Sequence, residues 1–217
     1  MMVIFYLLFS YLVGSIPFGF LISKIFGKNI LEIGWKKTSA SNVMRNVGLI
    51  PGILAGLLDV GKGYFVVWLG QKFYFSPLVL ILAAFLAVVG HNWSFYLKFA
   101  GGRGIGTFLG ALIALSPKIT LYSILFCLPF ILFWNASIAT ILFLLSNITL
   151  PYFLKEGNLV SLFTFISLFP IFLKRLSPIK EIFPLKEKKK LIRNRLLFDN
   201  DEWQGAKIKK FFQKYVH

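Results

Sequence analysis

Few of the residues that build soluble catalytic centres are present: one cysteine, two histidines and eight acidic side chains in 217 residues. A lone Cys127 inside an apolar run excludes a disulfide framework and a cysteine metal site, and it reads as packing. His91 has only the terminal His217 for company, so no metal is expected. No charge precedes Lys24. The first run therefore lacks the basic start of a signal peptide and, with no small-residue cleavage site after it, is expected to stay as a helix. Internal repeats, low-complexity segments and a soluble domain are also missing, which argues against repeat-built transporters.

Apolar residues dominate instead. Hydrophobic residues make up 57% of the chain and aromatics 18%, with a mean hydropathy of +0.75. A soluble fold of this size would expose large apolar patches, so the composition reads as an all-α, polytopic membrane protein. Stretches near the length of a membrane span occur at 2–25, 49–70, 76–97, 105–116, 119–133, 136–154 and 159–173. Seven spans is the expectation. The alternative is one broken span through Pro117, where a helix hydrogen bond is lost.

Charge sets the orientation. Lys24, Lys28, Lys36, Lys37 and Arg45 fall in the first connection, Lys98 and Arg103 in the third, and 13 of the 24 Lys/Arg after residue 173. The opposite side carries Lys72, Lys118 and Lys155. Positive loops face the cytoplasm, which places the N-terminus outside and the C-terminus inside. The expected organisation is a membrane domain over 1–173 and a basic cytoplasmic tail over 174–217. The basic excess reads as membrane orientation, and no nucleic-acid partner is expected. Basic and apolar residues alternate over Lys186–Phe198 and again over Ala206–Tyr215, a pattern suited to an anionic leaflet.

Chemistry concentrates at the cytoplasmic ends. In Gly101-Gly102-Arg103-Gly104-Ile105-Gly106-Thr107, glycines let backbone N–H groups approach an anion, Arg103 adds a fork of donors, and a helix start follows. Gly102, Gly106 and Gly110 are equally spaced for close helix contact, so packing competes with binding. Asp59 and Lys62 lie three apart on one helical face, placed either to pair with each other or to direct Lys62 at a phosphate. His91 ends the third span and can donate to a phosphate or carry a proton. The first connection holds Thr38, Ser39, Ser41, Asn42 and Arg45, which read either as helix caps or as ligands for a polar anion. Gly14-Ser15-Ile16-Pro17-Phe18-Gly19 predicts a kink or a close helix contact in the first span.

Taken in order, Gly14 to Gly19, Ser41-Asn42-Val43 with Arg45, Leu58-Asp59 with Lys62-Gly63, Gly90-His91, and Phe99 to Gly104 with Thr107 resemble the bacterial acyl-phosphate:glycerol-3-phosphate acyltransferases over roughly residues 10–117. The resemblance implies a seven-span enzyme of the bacterial inner membrane in lipid synthesis. It would move a fatty acyl group from acyl phosphate to glycerol 3-phosphate, giving lysophosphatidic acid, without a cofactor. It implies Gly101, Gly102, Arg103, Gly104 and Thr107 on the acyl-phosphate phosphate and Ser39, Ser41, Asn42 and Arg45 on glycerol phosphate. Lys62 and His91 would serve either anion, and His91, Lys62 and Arg103 are the catalytic candidates.

The chain departs from the family pattern at several positions. Trp35-Lys36-Lys37 stands where the family reads Ser-Gly-Asn, Ser39 replaces a Gly, Ser41 a Thr, and Ala100 and Arg103 take the places of two lysines. The family's His and Asn three apart after the last span have no match in 174–180. A non-catalytic relative that binds or transports a phosphorylated lipid precursor is the alternative reading.

Overall fold

The computed structural model describes residues 1–177, 182 and 188–201, and every regular element among them is helical. The first apolar run forms α1 (Met2–Ser15) and α2 (Phe18–Ile25), broken at Ile16-Pro17 as the Gly/Pro pattern predicts. Proline has no N–H to continue the ladder, so carbonyls at the break need other donors. Later segments supply them: Ser94 Oγ donates to the Ser15 carbonyl at 2.6 Å and Lys62 Nζ to the Ile16 carbonyl at 2.9 Å.

After the short α3 (Ala40–Asn46) come α4 (Leu49–Lys72) and α5 (Pro77–Asn92), then a 3-10 turn at Phe95–Leu97. Next are α6 (Ile105–Leu115), α7 (Pro117–Phe133), α8 (Ala136–Phe153), α9 (Leu159–Leu176) and α10 (Lys188–Phe198). Among the described residues, five helical segments are long and apolar enough to cross a membrane: Met2–Ile25, Leu49–Lys72, Pro77–Leu97, Ala136–Phe153 and Leu159–Leu176. α6 and α7 are shorter. At 1.5 Å per residue they reach roughly 16 and 25 Å, against a hydrocarbon core of about 30 Å. Ser116 is extended between them, and Pro117 begins α7 at a first-turn position where its missing N–H costs nothing, so the two are separate helices.

Small residues bring the helices together, as expected in lipid, where apolar side chains gain little by leaving the bilayer. α1 lies on α5 where Gly14 faces the Ala87 backbone and Gly90 faces Tyr11 and Ser15. α4 lies on α6 through Gly63 against Thr107 and Gly110 against Val60. A Cβ at any of these four glycines would collide with main chain. The central cluster joins Val67, Ile81, Val88, Phe108, Leu112, Ile119, Leu144, Phe163 and Ile171, and Cys127 belongs to it. Phe108 stacks on Phe163 at 5.0 Å between centroids. Outward-facing Phe5, Leu57, Phe165 and Phe169 leave an apolar surface of the kind lipid covers.

The start of the basic tail does not lie free. α10 packs on α8 and α9 with Asn194 and Arg195 buried. Residues 206–215, the second basic stretch, lie outside the described residues.

Candidate active site

The glycine loop is held from three directions. Gly102 N donates to the His91 carbonyl at 3.0 Å, Thr38 N to the Gly101 carbonyl at 3.3 Å, and Ser94 N to the Ala100 carbonyl at 3.0 Å. Gly104 caps α6 at φ 80, in the left-handed region that glycine enters without strain. The two readings of the glycines therefore divide: Gly110 is packed against α4, whereas Gly101, Gly102 and Gly104 shape the loop carrying Arg103.

The first connection is organised by Asn42. Its Oδ1 accepts from Trp35 N at 3.0 Å and its Nδ2 donates to the Lys37 carbonyl at 2.9 Å, with longer bonds to the Ile30 and Ile33 carbonyls. Fully buried, its amide is engaged by the loop itself. Ser39 is the N-cap residue of α3 without a side-chain capping bond, and Ser41 is exposed beside it. The loop delivers the Trp35 ring to two arginines, with Arg45 Cζ 4.6 Å and Arg103 Cζ 4.5 Å from its centroid.

Below the glycine loop, Asp59 Oδ1 pairs with Lys62 Nζ at 2.9 Å and lies 3.3 Å from His91 Nδ1. All three are buried. Lys62 turns toward Asp59 and the Ile16 carbonyl, and its ammonium also lies 5.7 Å from the Phe18 ring. Thr107 is fully buried behind the loop, its hydroxyl without a hydrogen-bond partner among the described residues.

Two adjoining cavities meet at Arg103. The smaller, about 290 Å³, is lined by Ser39, Ser41, Asp59, His91, Arg103 and Gly104, among others. The larger, about 410 Å³, takes Trp35, Lys36, Lys37, Gly101, Arg103 and Lys174 into its wall. Of the residues expected from the sequence, the fold thus brings Ser39, Ser41, His91, Arg103, Gly101 and Gly104 to cavity surface. Arg45 reaches the site through Trp35, while Asn42, Lys62 and Thr107 stand behind it.

Three contributors were not among the candidate site residues read from the sequence. Lys37 is buried, donates to the Lys174 carbonyl at 3.2 Å, and has its pKa pushed down to about 8, first by burial and then by Arg103. Arg175 lines both cavities, as does Asp199, whose Oδ2 lies 2.6 Å from Arg103 Nε. Burial raises the Asp199 pKa against the pull of Arg103, Arg175 and Lys37. Arg175 follows Lys174 in the last turn of α9, and that cationic pair was the available hint.

Comparison with known proteins decides the family. The family model described as glycerol-3-phosphate acyltransferase matches residues 4–184. The chain belongs to the glycerol-3-phosphate acyltransferase family. A relative from Wolbachia pipientis subsp. Culex pipiens (strain wPip), named glycerol-3-phosphate acyltransferase, is 35% identical over 185 residues, covering 84% of this chain and 96% of its own. Glycerol-3-phosphate acyltransferase 2 of Moorella thermoacetica is 40% identical over 128 residues, 58% of this chain and 66% of that relative. The crystal structure of PlsY (YgiH), an integral membrane glycerol 3-phosphate acyltransferase in its glycerol 3-phosphate form, superposes with a TM-score of 0.75 at 28% identity. That match covers 85% of this chain and 93% of the other. The family-model match spans the first connection and the glycine loop.

Proposed function

We propose that the protein transfers a fatty acyl group from acyl phosphate to glycerol 3-phosphate, releasing lysophosphatidic acid and phosphate at the cytoplasmic face of a bacterial inner membrane. The observation that carries this reading is Arg103, set between glycines at the junction of a mainly polar cavity and a smaller, mainly apolar one. Family membership supports it.

The glycerol hydroxyl oxygen bonds to the acyl carbonyl carbon, the bond from that carbon to the phosphate oxygen breaks, and phosphate leaves. Acyl phosphate is a mixed anhydride with a good leaving group, so the site's task is to position the hydroxyl and stabilise phosphate charge. The departing phosphate takes the hydroxyl proton, and no Ser-His-Asp set is required. Arg103, with Gly101, Gly102 and Gly104, holds the acyl-phosphate phosphate. Ser39, Ser41 and Arg45 face the glycerol phosphate. His91 borders the smaller cavity and contacts the reacting groups. Asn42 shapes the first connection, Thr107 backs the glycine loop, and Lys62 holds Asp59, which in turn orients His91. The acyl chain lies between apolar helices, where each buried methylene contributes about 0.8 kcal/mol.

In the same reading, α6 and α7 supply the fourth and fifth of seven membrane segments, with the N-terminus outside and the C-terminus cytoplasmic. The membrane domain covers 1–173 and the basic tail 174–217.

Purified protein in liposomes, given synthetic acyl phosphate and glycerol 3-phosphate, should form lysophosphatidic acid and inorganic phosphate in equal amounts without coenzyme A or acyl carrier protein. Binding of both substrates with no product would instead favour the non-catalytic reading.

A further inference from the structure

Arg103, Arg175 and Asp199 line both cavities. The anion now on Arg103 comes from the chain itself. Besides the 2.6 Å contact with Asp199 Oδ2, Arg103 Nη2 donates to the Asp199 carbonyl at 3.3 Å. The second carboxylate oxygen, Oδ1, is buried without a hydrogen-bond donor among the described residues, although Arg175 and Lys37 lie close enough to act on its charge. Asp199 adopts φ 53, a left-handed conformation that aspartate enters more readily than most side chains.

Docking of the preceding helix keeps it there. Arg175 Nη1 donates to the Leu196 carbonyl at 2.6 Å, Ser137 Oγ to the Phe198 carbonyl at 2.8 Å, and Arg195 Nη1 to the Leu176 carbonyl at 3.1 Å. The result is a buried carboxylate among three cations, one of whose oxygens has no hydrogen-bond donor among the described residues. A phosphate carries more charge and three acceptor oxygens, and so completes such a cluster better.

We infer that Arg103, Arg175 and Lys37 form one phosphate subsite and that Asp199 occupies it as a built-in surrogate, displaced when a phosphate-bearing substrate enters. The inference rests on the acyltransferase reading and adds Arg175 and Lys37 to the binding residues. Both substrates carry the required phosphate chemistry, on acyl phosphate or on glycerol 3-phosphate. Asp199 competes with that phosphate, so the apparent affinity is reduced by the fraction of time the subsite is filled from within.

The test uses full-length protein in detergent. Titration calorimetry with inorganic phosphate is combined with KM for each substrate in wild type, Asp199→Asn, Asp199→Gly, Arg175→Gln and Arg103→Ala. Glycine suits the left-handed conformation and keeps the comparison valid should the asparagine variant fold poorly. Both Asp199 variants should tighten the phosphate Kd about tenfold, as expected for a site filled nine-tenths of the time. Arg175→Gln should weaken it about tenfold or more. The substrate whose KM falls in the Asp199 variants is the one whose phosphate the subsite holds. An unchanged or weaker Kd with a lowered Tm in the Asp199 variants makes the pair structural and overturns the inference. A tighter Kd with neither KM altered also overturns it, because the subsite then plays no part in turnover. Should Arg103→Ala retain full acyl transfer, the acyltransferase site itself is misplaced. If that variant is inactive and the Asp199 variants show no tightening, only the surrogate fails.

Discussion

Two carboxylates, Asp59 and Asp199, each sit among cations at different depths of the same site. Asp59 lies between α4 and α5 with Lys62 and His91, inside the helical bundle, and Lys62 is further held by the Ile16 carbonyl. Asp199 lies at the rim with Arg103 and is delivered by a segment outside the bundle. The inner cluster is paired within the bundle, Asp59 with Lys62 and His91, while Asp59 and His91 also form part of the wall of the smaller cavity. The outer one borders about 410 Å³ of cavity and has a carboxylate oxygen with no hydrogen-bond donor among the described residues. Depth therefore separates a charge set that fixes geometry from one whose anion is exchangeable.

The sharpest way to break this contrast is at Arg103. Arg103→Ala should lower kcat by about 10²–10³, the scale of removing one donor from a stabilised developing anion, and any accompanying loss in Tm should be relieved by adding Asp199→Asn, which removes the uncovered carboxylate. Near-normal turnover would mean that the rim cluster does not handle substrate.

The inner cluster should respond in stability first. Asp59→Asn or Lys62→Met alone should cost about 3–5 kcal/mol, because each leaves a buried charge without its partner. Thermal denaturation should show the double variant less damaged than either single one. If the double variant is the least stable of the three, the pair does more than neutralise itself.

A smaller effect should follow from Trp35, which stacks on Arg45 and Arg103 at once. Each cation–π contact is worth about 0.5–2 kcal/mol, so Trp35→Ala should raise KM several-fold and leave kcat nearly unchanged. A fall in kcat with constant KM would place the ring nearer the reacting atoms than the structure does.

The smallest is a pH effect at Lys37. Its neighbours are Arg103, Lys174, Arg195 and Asp199, and its pKa is lowered from 10.5 to about 8. As pH rises from 7 to 9 the folded protein loses this cation, so inorganic phosphate, the probe of the subsite, should bind more weakly. The linked stability has the opposite sign. Between about 8 and 10.5 the unfolded chain holds the extra proton, so Lys37 adds stability as pH rises through that window. Lys37→Met should flatten both trends, read by calorimetry and by thermal melts.

Much of the fold was legible because it depends on local chemistry. Pro17 among glycines marks the break in the first span, and Pro117 opens α7. Gly101 to Gly104 announce a loop around Arg103. Asn42 was harder to read, since an amide at a loop–helix junction suits a ligand as well as a loop organiser, and only the carbonyls of Ile30, Ile33 and Lys37 decide which. Asp199 was invisible. It belongs to a basic tail whose composition fits a membrane surface, and its 2.6 Å contact crosses 96 positions of sequence. No periodicity or spacing encodes a partner that far away.

The break at Ile16-Pro17 also constrains how the chain is assembled. The carbonyls of Ser15 and Ile16 find their donors in Ser94 and Lys62, both synthesised later. Within hydrocarbon an unpaired carbonyl is costly. The Ile16 carbonyl has a local donor in Phe18 N at 3.2 Å, whereas the Ser15 carbonyl is met by Ser94, beyond the end of α5. The break in the first helix is therefore completed only once the segment after α5 is in place.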